Sequence, residues 1–216
     1  MKRKKDMRLS SFSADVKNML DNMTTSEGKI GALKQLVKRI ESEEKYNKNP
    51  EWRNSLLAKV YEHMAGVYYS IGDEKGVIEA CTQIIKYNPS DGMSYYNRGS
   101  IYNNLEKYDK ALKDFDDAIL IMPNYASAYN NRGLVLDKLK RHDEAISDFD
   151  YAIGLEPSSI TYYNRANSYF EQEKYKEAKQ DYQKSLESGI NDEELKRYIT
   201  TAIDLIDKKL LGDTSV

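Results

Sequence analysis

The stretch from Tyr95 to Pro123, YYNRGSIYNNLEKYDKALKDFDDAILIMP, decides the fold because it comes back. Tyr129 to Pro157 reads YNNRGLVLDKLKRHDEAISDFDYAIGLEP, and a looser copy starts at Tyr162. Gly99 to Gly133 and Ala111 to Ala145 are both 34 residues apart, whereas Ala145 to Ala178 is 33, so an inter-repeat turn has lost one residue. A fixed period of that size means stacked supersecondary units.

Placing Pro89 opposite Pro123 brings a fourth, degenerate copy into register. Tyr61 falls opposite Tyr95, Ala65 opposite Gly99, Gly72 opposite Glu106 and Cys81 opposite Phe115. The repeats are therefore 58–91, 92–125, 126–158 and 159–191. Each is read as helix A, a turn and helix B, with turns at Ile71-Gly72-Asp73, Lys140-Arg141 and Glu173-Lys174. Small residues recur where helices must approach: Gly99, Gly133 and Ala166 on helix A, and Ala111, Ala145 and Ala178 at the start of helix B. A glycine inside a helix costs about 1 kcal/mol relative to alanine, so its recurrence means a larger side chain costs more. Tyr102, Phe115, Phe149, Tyr169 and Tyr182 fill the gaps, and Pro123 and Pro157 stop helix B. One hairpin cannot bury its apolar face alone, so its neighbours supply the missing half.

Outside the repeats, 26–57 is read as a capping helix, with Ile30, Leu33, Leu36, Val37 and Ile40 in one stripe, followed by the start of a long helix at Pro50. Residues 192–211 form a C-terminal capping helix whose outer face carries Lys196, Arg197, Asp204 and Lys208, and 212–216 are a tail. Residues 1–25 are expected to be a basic, flexible segment. Phe12, Val16, Met19 and Leu20 nonetheless fall at helical spacing, as in a short helix that docks on the body.

Composition narrows the function. The 216 residues carry a net charge of -2, which gives no general pull toward nucleic acid or acidic membranes. No apolar run approaches the ~20 residues of a membrane span. The start MKRKKDMRLSSF is basic but lacks the apolar core of a secretory signal, and Lys2-Arg3-Lys4-Lys5 has the character of a weak nuclear address. A single cysteine, Cys81, fits a reducing compartment, so the cytoplasm is expected.

The aromatic, small and aromatic-or-Leu positions of helix A, followed by the Ala, aromatic, small residue and Pro of helix B, resemble the tetratricopeptide repeat. The resemblance covers 58–191. It implies an all-α, right-handed superhelical solenoid of antiparallel helix pairs. It also implies that the A helices line a concave groove which receives an extended peptide or a helix of a partner protein.

Helix A repeats an asparagine just before an arginine: Asn97-Arg98, Asn131-Arg132 and Asn164-Arg165. In peptide-binding members of the family the matching asparagines face the groove, and an amide offers both a donor and an acceptor to a peptide unit. The other readings of these amides are helix-surface filler and bonding to the neighbouring A helix. The same register adds Tyr96, Ser100, Asn103, Asn130, Asp137, Tyr163 and Asn167 to the groove candidates, a lining suited to a polar or mixed peptide. Arg98, Arg132 and Arg165 are read as spanning the inter-repeat seam to a carboxylate, or else as attracting an acidic ligand. Asp114, Asp116, Asp117, Asp148 and Asp150 are read as a solvated outer face. Chaperone-binding members carry a lysine and, four residues on, an asparagine that clamp a carboxylate. Here Glu62 and Gly66 stand at those positions, so the acidic C-terminus of a heat-shock chaperone is disfavoured as a partner.

His63 and His142 lie far apart, and no cysteine or histidine cluster has metal spacing. No phosphate-binding glycine loop or nucleophile elbow occurs. The reading is a non-catalytic protein-interaction scaffold without cofactor or metal. The rival readings are an assembly scaffold that uses its convex face or end helices, including self-association, and an RNA-binding solenoid, which the net charge disfavours.

Overall fold

The computed structural model describes residues 2–211, with the side chains of 9–211 except Lys45. The chain is an all-α solenoid of helix pairs, in two compact units, 1–105 and 106–216. The first holds α1 (Lys2–Asp21), α2 (Ser26–Ser42), α3 (Glu44–Asn47), α4 (Pro50–Ser70), α5 (Glu74–Tyr87) and α6 (Gly92–Asn104). The second holds α7 (Tyr108–Ile121), α8 (Ala126–Lys138), α9 (His142–Leu155), α10 (Ser159–Glu171), α11 (Tyr175–Glu187) and α12 (Glu193–Leu210).

Helix starts follow local chemistry. Asn49 accepts from the Trp52 amide at 3.0 Å with Pro50 in the first turn, Asp73 accepts from Gly76, and Asp91 accepts from Ser94 at 2.9 Å. Asp192 caps α12 through the amides of Glu194 and Leu195. The A-to-B turns share one backbone device. Gly72, Glu106, Lys140 and Glu173 all stand at positive φ, 69°, 56°, 61° and 59°. Only the first of these is a glycine, so the other turns accept a strain of about 1 kcal/mol or more to reverse the chain.

In the first unit, α4 is the central helix. Leu33, Val37 and Ile40 of α2, Leu56, Leu57, Val60 and Met64 of α4, and Val77, Ala80 and Cys81 of α5 form one buried core. The segment expected to be flexible contains α1, which packs on α4. Its Val16 and Leu20 are buried in the same core, with Leu9, Phe12 and Met19 around them, so the helical spacing of these residues outweighs the basic start. The side chains of Lys2-Arg3-Lys4-Lys5 lie outside the described residues. The polar break 41–50 adds one turn, α3, held where Tyr46 packs on Trp52 with ring centroids 5.4 Å apart.

In the second unit, Phe149 packs with Ala145 and Leu136, and Tyr182 with Ala166, Ala178, Ile199 and Ile206. Gly133 is needed: a Cβ there would lie 2.7 Å from Cε1 of Phe149. The Tyr129 hydroxyl donates to the Pro123 carbonyl at 3.1 Å, tying the inter-repeat turn to the next helix A.

Candidate functional site

The arginine ladder is an inter-repeat seam. Arg132 donates from Nε and Nη2 to both oxygens of Asp148 at 2.8 and 2.7 Å, and from Nη1 to Asp116 at 2.6 Å. Asp148 belongs to its own hairpin and Asp116 to the helix B before it, so one guanidinium joins two repeats. Arg165 repeats this with Asp181 at 2.6 and 2.8 Å, and with Asp150. Arg98 donates to Thr82 at 3.0 Å, the position equivalent to Asp116. Each arginine also lies over the tyrosine three residues before it, 5.7–5.8 Å from its centroid. The Asp148 hydrogen bonds hold the Arg132 guanidinium charged despite its burial. Burial opposes the charge of Arg165, and hydrogen bonds to Asp181 and Asp150 outweigh it. The reading of Asp114, Asp116, Asp117, Asp148 and Asp150 as a solvated face is corrected in part: Asp114 and Asp148 are buried and Asp117 is half-buried, whereas Asp116 and Asp150 are exposed; Asp181, the partner of Arg165, is buried as well.

The asparagine ladder divides between the two units. In the second unit its members, Asn131 and Asn164, are linked through Asn130. Asn164 is buried and donates to Oδ1 of Asn130 at 2.9 Å, and Asn130 donates to Asn131 at 3.2 Å, bridging α8 to α10. Asp137 takes the Ser168 hydroxyl at 2.5 Å and pairs with His142 Nδ1 at 2.8 Å. Asn167 accepts from the Tyr182 hydroxyl at 2.6 Å, and Tyr163 packs between Tyr182 and Tyr198. In the second unit these groove candidates thus have partners within the fold.

In the first unit the equivalent surface is open. A groove of about 780 Å³ runs between α4 and α6. Lys59, Glu62, Gly66 and Tyr69 form one wall, and Met93, Tyr96, Asn97, Ser100 and Asn104 the other. Val77, Cys81, Ile84 and Ile101 form an apolar floor. Asn97 is exposed, Tyr69 is 75% exposed and Met93 42%. Lys59 and Glu62 pair with each other at 2.7 Å, so the wall carries little free charge. Asn103 is half-buried on the last turn of α6. At the position equivalent to Asn97, His63 is hydrogen-bonded to Ser13 at 3.2 Å, so α1 occupies this position on α4. The repeat register also puts Glu62, Gly66 and Tyr69 on the groove side of α4, whereas sequence reasoning missed Met93; its exposed apolar body in helix A was the available signal.

Among the described residues no group of three His, Cys, Asp or Glu is placed to hold a metal, and no helix is long and apolar enough to cross a membrane.

Tetratricopeptide-repeat family models match 93–125, 126–159 and 159–187. The chain thus carries three tetratricopeptide repeats (TPR). It is similar to a crystal structure of MamA, 25% identical over 76% of this chain and 88% of that one, with a TM-score of 0.63. A thermophilic TPR protein of Thermus thermophilus shares the fold at 19% identity, over 81% and 98% of the two chains, TM-score 0.59. The first TPR of Spaghetti (RPAP3), bound to the HSP90 peptide SRMEEVD, is 27% identical over 56% of this chain and 93% of its own, TM-score 0.51.

Proposed function

We propose that this protein is a non-catalytic scaffold that holds a short segment of a partner protein in the groove between α4 and α6. The observation that carries the reading is the open groove itself, with its apolar floor and its walls of tyrosine, methionine, amide and hydroxyl groups. An apolar partner side chain covers Val77, Cys81 and Ile84, while Asn97 and Asn104 supply donors and acceptors to the partner's backbone. The similar RPAP3 domain holds a peptide, which supports this mode of use. The heat-shock tail is a poor fit here, because Glu62 replaces the clamp lysine and Gly66 offers no side chain. Among the described residues of the second unit the candidate polar groups are bonded internally and leave no comparable set of groups for a partner.

The test is affinity capture from the source cells with the intact chain and with a Tyr69→Ala/Tyr96→Ala/Asn97→Ala variant. Circular dichroism and thermal unfolding confirm that the variant stays folded. Partners held by the groove disappear from the variant, and a Lys138→Ala control retains them. Retention of the same partners by the folded triple variant sinks the reading.

A further inference from the structure

The seam that Arg132 fills in the second unit has an apolar counterpart in the first. Register places Met64 at the arginine position and Ala80 at the position of Asp148. Around Arg132 the seam holds a charged crevice of about 390 Å³, lined by Asp116, Arg132, Arg141, Glu144 and Asp148. At the corresponding place in the first unit there is a slot of about 290 Å³ between α2, α4 and α5. Its walls are Val37, Tyr61, Met64, Tyr68 and Ala80. On α4 these residues lie on the side away from Glu62, Gly66 and Tyr69, so the slot is separate from the groove.

We propose that this slot is a second binding site, for a small neutral ligand with one ring-sized apolar body and one hydrogen-bond acceptor. Volume sets the body: an apolar cavity of about 150 Å³ takes a benzene ring, and this slot has room for a ring and its substituents. The rim sets the charge. Lys34 and Lys38 stand against Glu41 and Glu79, two of each sign, so an ion of either sign gains from one pair what it loses to the other. Tyr61 sets the acceptor. Burial, with Tyr87 and Glu41 nearby, pushes its phenol up to about 12, so it keeps its proton at neutral pH. Among the described residues the Tyr61 hydroxyl has no hydrogen-bond partner and is available to donate. The site does not depend on the groove and stands if the groove reading fails.

The experiment titrates the full methyl-labelled chain with acetophenone, ethylbenzene, benzoate and benzylammonium, following the Val37 methyl resonances. Acetophenone is expected to shift them with the tightest affinity of the four. Tyr61→Phe is expected to weaken acetophenone by about 3- to 10-fold and leave ethylbenzene unchanged. Met64→Arg/Ala80→Asp installs the ion pair of the later repeats and is expected to abolish binding. The proposal is overturned by the absence of acetophenone shifts, by benzoate or benzylammonium binding as well, or by the folded double variant binding normally. If the double variant does not fold, Tyr61→Phe decides: equal weakening of acetophenone and ethylbenzene, or of neither, overturns the assignment.

Discussion

Gly133→Ala is predicted to destabilise the protein, although alanine is the better helix former. The added Cβ would lie 2.7, 2.9 and 3.0 Å from three ring carbons of Phe149, which is fully buried and cannot swing away. Overpacking of this kind costs about 1–3 kcal/mol. The helix-propensity gain returns about 1 kcal/mol, leaving a net loss of up to about 2 kcal/mol. Gly154→Ala, on α9 of the same hairpin, meets nothing within 4 Å and gains up to about 1 kcal/mol. One substitution thus changes sign between two glycines of one hairpin. Urea unfolding followed by circular dichroism gives the two midpoints. A double-mutant cycle with Phe149→Leu adds the coupling, which is favourable when the smaller side chain makes room. A Gly133→Ala variant as stable as Gly154→Ala would show that close A–B approach is not what holds glycine there.

The seam is predicted to depend on its buried carboxylate. Arg132→Leu leaves Asp148, 9% exposed, without its partner and costs about 3–5 kcal/mol, whereas Asp116→Asn, at a position 60% exposed, costs at most about 1 kcal/mol. Chemical denaturation separates the two. Lys140→Gly relieves a left-handed backbone and raises stability by about 0.5–1 kcal/mol in the same assay. Burial lowers the pKa of His63, which hydrogen-bonds Ser13 and has Lys17, Lys59 and Glu62 nearby. Its folded value is below the unfolded one, so its contribution is present above about pH 6.5 and is lost as pH falls through the folded value. Hydrogen exchange in α1, corrected for intrinsic rate, is therefore faster at acid than at neutral pH, and His63→Gln flattens the difference.

The repeat architecture is legible because Gly133, Ala145, Phe149 and their equivalents are set by packing at every turn of the period. The site is less so, because equivalent residues differ in what stands beside them. Asn97 and Asn164 occupy one register position. Yet Asn164 has Asn130 within reach across 34 residues and is buried, whereas Asn97 is exposed on the groove wall. The aspartates of DFD look like a polar face in one dimension. Asp148 is buried only because a guanidinium from helix A reaches it. The left-handed turns at Glu106, Lys140 and Glu173 carry no glycine to announce them. The docking helix α1 is legible in the spacing of Phe12, Val16, Met19 and Leu20, although the basic residues at its start read as a flexible tail.

The groove between α4 and α6 is the proposed site for partners. Its most direct measurement is amide hydrogen exchange on the intact chain, with and without a peptide selected against it from a displayed library. A peptide held in the groove slows exchange on α4 and α6, around Glu62, Tyr69, Tyr96 and Asn97, and leaves α8 and α10 unchanged. Protection centred on α8 and α10, or on α7 and α9, would contradict it.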